Sequence, residues 1–145
     1  MIFRKLKNPS DFFKTLPEDW LDELLPQWPV LKTTSEVYGV IKDYQVISGG
    51  IVFNQNLPQL SPVEIQAALL FQGAPYIGYI YTQPEFRGMG ASSFWFHSLF
   101  DQCKNQRYWL SIEDLQLSAF YQKFGFSIHE FEGQSLDEYV MFKAF

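Results

Sequence analysis

One cysteine, two histidines and no extended apolar run set the first limits on this chain of 145 residues. The lone Cys103 has no intramolecular partner for a disulfide, and His97 and His129 are too far apart in sequence to suggest a zinc site. Nowhere do the roughly 18 consecutive apolar residues of a membrane-spanning helix occur, and Met1 to Asn8 carries basic residues without an apolar stretch of signal-peptide length. A soluble, cytoplasmic protein with no membrane role is expected. Cationic residues are in the minority, 11 Lys and Arg against 16 Asp and Glu, and the resulting net charge of -5 argues against a nucleic-acid partner while favouring small cationic ligands.

Apolar residues, by contrast, are plentiful. With 47% hydrophobic and 19% aromatic residues, a chain of this length can bury one sizeable core, so a single domain over residues 1–145 is expected, as a monomer or homodimer. Ile2 to Leu6 has strand character. Ser10 or Asp11 can cap a short helix through Leu16, and Pro17-Glu18-Asp19 opens a second whose apolar face is Trp20, Leu21, Leu24 and Leu25, stopped by Pro26 and Pro29. Strand-like runs at 36–41 and 45–53 flank the turn-forming Lys42-Asp43-Tyr44, which predicts a hairpin. Ser61-Pro62-Val63-Glu64 has capping-box spacing and predicts a helix from Pro62 to about Gln72, read here as a surface addition without a catalytic role. Strands follow at 76–81, 108–112, 126–131 and 138–142, with helices after Gly90 and from Asp114 to Phe124, an alternation of mixed α and β character without repeats.

The most informative segment is Gln83-Pro84-Glu85-Phe86-Arg87-Gly88-Met89-Gly90-Ala91-Ser92, between the strand-like Tyr76 to Tyr81 and a helix carrying Phe94, Trp95, Leu99 and Phe100. A helix that starts after such a glycine turn offers free amides and the positive end of its dipole to an anion. It is not a mononucleotide P-loop, which needs a lysine after its last glycine, nor a dinucleotide fingerprint, which needs a third glycine where Ser93 stands.

The segment resembles the acyl-CoA pyrophosphate loop of the GNAT superfamily of N-acetyltransferases, Gln/Arg-x-x-Gly-x-Gly/Ala, with Arg87, Gly88, Met89, Gly90, Ala91 and Ser92 in register; Ser92 stands where the pattern ends in glycine or alanine. A second stretch, Ala119 to Phe126, is similar to that family's Ala-x-x-Tyr-x-x-x-Gly-Phe helix end. The resemblance implies an α/β (α+β) fold with a mixed, mostly antiparallel central sheet flanked by helices. It also implies acetyl-CoA as the acetyl-donor cosubstrate and direct transfer in a ternary complex to a primary amine of a small molecule or peptide. On this reading residues 87 to 92 hold the pyrophosphate, the backbone at Tyr81 and Thr82 pairs with pantetheine, and Tyr121 donates the proton to the departing thiolate. A phenol suits that task, since its reference pKa of about 10 exceeds the thiol's of about 8.5.

Alternatives remain open at this level. Tyr121 is one of eight tyrosines and could be an aromatic packed near CoA; Asp114 could contact the CoA arm or cap the helix that follows. Glu36, Glu64, Glu113 and Asp114 are candidates for the base that deprotonates an ammonium acceptor, with a water chain as the substitute. Trp20, Trp28, Trp95 and Trp109 could line an amine pocket or fill the core. Nothing beside Cys103 prepares a thiolate nucleophile. A non-catalytic CoA-binding or regulatory domain, or a domain for another phosphate ligand, would share the loop.

Overall fold

Among the described residues seven strands, numbered β1 to β7 along the chain, hydrogen-bond into one sheet in the order β1-β2-β3-β4-β5-β7-β6. The computed structural model describes residues 1–133 and 137–145. Strand β1 (Ile2–Lys5) lies at one edge; short helices α1 (Ser10–Phe13), α2 (Glu18–Leu24) and α3 (Trp28–Leu31) lead to β2 (Ser35–Lys42) and β3 (Gln45–Phe53). Helix α4 (Pro62–Leu70) precedes β4 (Tyr76–Thr82), and α5 (Ala91–Gln102) carries the chain to β5 (Tyr108–Ile112). Helix α6 (Ser118–Gln122), β6 (Ser127–His129) and β7 (Tyr139–Lys143) complete it.

The β2–β3 hairpin closes on Asp43 and Tyr44, both at positive φ (51° and 64°), the geometry whose twist matches the flanking strands. Period-two alternation then buries both faces of the sheet. Tyr38, Val40, Val52, Ile77, Tyr108 and Leu110 pack on one face under Trp95, Phe96 and Leu99 of α5. Val37, Ile51 and Phe53 pack on the other beneath α1 to α3, and Trp109 and Val140 continue that layer beneath Val63 and Ala67 of α4. Trp95 is fully buried and its indole N–H donates to the Tyr38 carbonyl at 3.0 Å, so its polar atom is satisfied as well as its apolar surface.

Local departures from the sequence reading have local causes. Pro29 does not stop a helix; it lies in the first turn of α3, where its missing N–H costs nothing. Helix α1 begins at Ser10 behind Pro9 and has no side-chain cap from Ser10 or Asp11; the Ser10 hydroxyl instead donates back to Asn8 Oδ1 at 2.7 Å. The segment 114–124 is not one helix but a 3-10 turn, Leu115–Leu117, followed by the five-residue α6. The capping box of α4 is present in full: the Glu64 amide donates to Ser61 Oγ at 3.4 Å and the Ser61 amide to Glu64 Oε1 at 2.9 Å.

One irregularity positions the site. Across β3 and β4, Gly49 faces Tyr81 and Ile51 faces Gly78, so Tyr79 and Ile80 together oppose Gly50, and Tyr79 takes a φ of +56°. This is a β-bulge, which bends its strand and re-aims the side chains beyond it. On its other side β4 runs parallel to β5 but shares only the Tyr76–Trp109 register pair, so the two strands part from there onward. Gly50 makes room for the bulge, because a Cβ there would lie 2.2 Å from Ile80 Cδ1 and 2.8 Å from Trp95 Cζ2. Gly50→Ala is therefore expected to destabilise the fold by about 1–3 kcal/mol, read as a lowered denaturation midpoint; an unchanged midpoint would show that the bulge is not packed against this strand.

Candidate active site

Beyond Thr82 the chain makes a 3-10 turn, Pro84–Phe86, and then reaches Gly88 and Gly90 at φ +85° and +81°. That left-handed geometry is open to glycine at no steric cost. A Cβ at either position would meet nothing within 4 Å, so both glycines border open space. Gly90 occupies the N-cap of α5, where no side chain caps the helix. The first-turn amides of a twelve-residue helix are therefore left without a side-chain cap, as an anion site requires.

The surrounding side chains hold this turn in place. Ser48, 2% exposed on β3, donates to the Tyr81 carbonyl at 3.2 Å; its oxygen lies 2.7 Å from Thr82 Oγ1, which lies 2.7 Å from Ser92 Oγ. Each hydroxyl has one proton, so with Ser48 donating to Tyr81, Thr82 donates to Ser48 and Ser92 to Thr82. Ser92 thus tethers the first turn of α5 to the sheet and offers a ligand its amide. Ala91 is buried and anchors the same turn from beneath, while Met89 is 40% exposed above it. Arg87 is exposed; its Nε donates to the Thr82 carbonyl at 3.0 Å and its guanidinium lies 5.4 Å from the Tyr81 ring centroid, leaving the terminal nitrogens at the rim of the turn.

Where β4 and β5 part there is a cleft of about 370 Å³. It is lined by Gly78 to Ile80 of β4 and Leu110 to Ile112 of β5, together with Tyr121 of α6. The Tyr121 ring packs edge-on to Phe96 at 5.6 Å, on the α5 face of the sheet, and its burial holds the phenol pKa above the ordinary tyrosine value. On the opposite face Glu64 Oε2 accepts from the Ser111 hydroxyl at 2.6 Å and from the Tyr76 hydroxyl at 3.3 Å. Glu23 of α2 accepts from the Tyr79 hydroxyl at 3.1 Å. Burial first, and then the neighbouring Glu64 and Glu23 carboxylates, push the Tyr76 and Tyr79 hydroxyls far above their usual pKa, so both remain donors. Glu113 and Glu138 complete an acidic lining in which, among the described residues, no lysine or arginine takes part.

The structure sorts the sequence candidates. Glu64 and Glu113 line the cleft, whereas Glu36 belongs elsewhere, bonded to the Tyr38 hydroxyl at 2.9 Å and paired with Lys5 at 3.6 Å. Asp114 caps the 3-10 turn, its Oδ1 accepting from the Gln116 amide at 2.9 Å. Of the four tryptophans, only Trp20 reaches the cleft, its ring 6.0 Å from Tyr79 and 5.6 Å from Tyr81; Trp95 and Trp109 are core and Trp28 packs on Phe13. His97 packs on Phe124 and His129 on Phe71 and Phe131, both outside the cleft. Helix α4, expected to be a bystander, supplies a wall of the site. Glu23, Tyr76 and Ser111 went unnoticed in sequence because they stand far from any motif and converge only through the β4–β5 parting. Among the described residues no cluster of His, Cys, Asp or Glu is placed to hold a metal ion, and no helix is long and apolar enough to cross a membrane.

An uncapped helix start behind two left-handed glycines, beside strands that part after one register pair, agrees with the comparison to known families. Residues 5–126 match the acetyltransferase (GNAT) family. The chain belongs to that family. No curated protein sequence matches it at a significant level. Among solved structures it is similar over its whole length to a ribosomal-protein-alanine N-acetyltransferase from Brucella melitensis, with 13% identity, TM-score 0.66 and 100% of both chains covered. A GNAT family acetyltransferase from Elizabethkingia anophelis with acetyl-CoA bound gives 13% identity and TM-score 0.66, covering 99% of this chain and 97% of that one. The PaiA N-acetyltransferase from Thermoplasma acidophilum in complex with coenzyme A gives 12% identity and TM-score 0.60, covering 99% and 98%. At such identities these likenesses establish the fold. The protein is thus a GNAT acetyltransferase with that family's mixed, mostly antiparallel sheet.

Proposed function

We propose that this GNAT enzyme takes acetyl-CoA as donor and acetylates a primary amine of a cationic small molecule or peptide, by direct transfer in a ternary complex. The observation that carries the reading is the parting of β4 from β5. It opens an acidic cleft along β4, the strand that leads on to the glycine turn.

The amides of residues 88 to 92 and the rim guanidinium of Arg87 would hold the pyrophosphate, the glycines allowing its oxygens to approach the main chain. Beyond the Tyr76–Trp109 pair, the side of β4 turned toward β5 has no strand partner, so the backbone leading to Tyr81 and Thr82 is available to the pantetheine amides. An amide there would also stabilise charge developing on the thioester carbonyl oxygen. Tyr121, a protonated phenol at the mouth of the cleft, would give its proton to the thiolate as the carbon–sulfur bond breaks.

The lining supports a cationic acceptor. Glu23, Glu64, Glu113 and Glu138 face the chamber with Trp20, Tyr76 and Tyr79 and without a cation, which attracts ammonium groups and disfavours carboxylates. The test is thiol release from acetyl-CoA across a panel of amines, with the product identified by mass. Diamines, amino sugars and peptide amines should turn over, and amines carrying a carboxylate beside the nitrogen should be poor acceptors. Bound acetyl-CoA without release in the presence of any amine would end this reading.

A further inference from the structure

The site as described has a proton donor for the thiolate but no assigned group to deprotonate the incoming ammonium, and resting on the N-acetyltransferase reading we infer that Ser111 and Glu64 form that group as a relay. The amine N–H proton passes to Ser111 Oγ while the Ser111 hydroxyl proton passes to Glu64 Oε2.

Three observations point to this pair. First, it is built for direction: Ser111 Oγ lies 2.6 Å from Glu64 Oε2 as donor, which leaves the serine lone pairs as the acceptor in the cleft. Secondly, two further donors hold the carboxylate. The Ser61 amide fixes Oε1 at 2.9 Å through the capping box, the Tyr76 hydroxyl meets Oε2 at 3.3 Å, and Ser61 Oγ donates in turn to Glu138 Oε2. Thirdly, the relay and Tyr121 open on the cleft from opposite faces of the sheet. Ser111, two residues from Trp109, faces the α4 layer, whereas Tyr121 packs in the α5 layer. An amine in the acidic chamber would therefore meet its base on its own side, and the thiolate would meet its acid on the donor side.

The step balances. An N–H bond of the ammonium and the O–H bond of Ser111 break; an O–H bond re-forms on Ser111 and another forms on Glu64. The charges +1 and -1 become a neutral amine, with its lone pair free, and a neutral carboxylic acid. As the amide forms, the nitrogen loses its second proton, which makes up for the one Tyr121 gives to sulfur; Glu64 returns its proton to solvent. The other candidate bases do not match this arrangement: Glu113 is exposed at the rim, and Glu23 is engaged by Tyr79 across the chamber. The titratable groups facing Glu64 are Tyr76 from β4 and, through Ser61, Glu138 ahead of β7; Glu23, Tyr79, Glu113 and Tyr121 share the chamber.

The experiment compares Glu64→Gln, Ser111→Ala, Ser111→Thr and, as a control outside the cleft, Glu36→Gln, at saturating acetyl-CoA with an amine the wild type acetylates. Glutamine is also accepted at this capping-box position, so Glu64→Gln should keep α4 folded, checked by its thermal midpoint. Glu64→Gln should lower kcat about 100-fold at neutral pH with unchanged CoA affinity, and the deficit should shrink as rising pH deprotonates the amine in solution. Ser111→Ala should show the same pH-dependent loss, Ser111→Thr should recover most of the rate, and Glu36→Gln should match wild type. A Glu64→Gln kcat within about threefold of wild type, or a loss confined to acceptor KM with an unmoved pH profile, overturns the relay while leaving the enzyme reading intact. No turnover by wild type with acetyl-CoA bound overturns the N-acetyltransferase reading and the relay with it.

Discussion

Gly90→Val is expected to weaken coenzyme A binding by at least about 100-fold while leaving the protein folded. Two costs combine. At φ +81° a β-branched side chain is strained, by about 1–2 kcal/mol, and that strain is relieved only if the turn rearranges. The valine methyls would also occupy the open space that now reaches the amides of α5; each charge-assisted hydrogen bond lost there is worth about 1.5–3 kcal/mol. With one such bond lost the two total about 2.5–5 kcal/mol, against the roughly 2.7 kcal/mol that corresponds to two decades of affinity. Because a Cβ at Gly90 meets no protein atom within 4 Å, the core beneath is not overpacked, and the thermal midpoint should fall only modestly. Calorimetry with coenzyme A decides the matter: affinity within about threefold of wild type would mean that the diphosphate binds elsewhere.

Tyr121→Phe is expected to lower kcat about 100-fold with CoA affinity changed less than twofold, the pattern of a group that acts in the transition state rather than in binding. Phenylalanine keeps the ring contacts to Phe96 and Phe126, so the substitution isolates the hydroxyl. The pH profile supplies a second readout. Burial raises the Tyr121 pKa, so the phenol stays protonated beyond the ordinary tyrosine value of about 10, and wild-type transfer should fall only as pH rises past that point, when the phenolate can no longer donate. In the phenylalanine variant that alkaline decline should be absent. Full activity in Tyr121→Phe would return Tyr121 to the role of a packing aromatic.

These two tests address residues that motif spacing had singled out, and the structure shows why local pattern was sufficient there. A left-handed glycine pair before a helix, and a helix end closed by Gly125 at φ +93°, are properties of a few consecutive residues, so they are written locally. The hairpin turn at Asp43-Tyr44 and the Ser61–Glu64 capping box were legible for the same reason. Pro29 was misread because a proline ends one helix and begins another with equal ease, and only the packing of Leu31 and Trp28 against the α1 layer selects the second.

The acidic chamber was not legible. Glu23, Glu64, Tyr76, Ser111 and Glu138 belong to five separate helices, strands or connections, and in sequence each reads as an ordinary polar or aromatic residue. Most of the elements, the alternation that buries both faces of the sheet, and the glycine turn before α5 are written in short stretches of chain, because they depend on short-range sterics and periodicity. Tertiary structure decided that β4 leaves β5 after a single register pair, that a bulge at Tyr79 and Ile80 bends it away, and that α4 reaches the resulting gap. Those outcomes depend on how distant surfaces pack and on which backbone groups are left without a partner strand, and no window of consecutive residues contains that information.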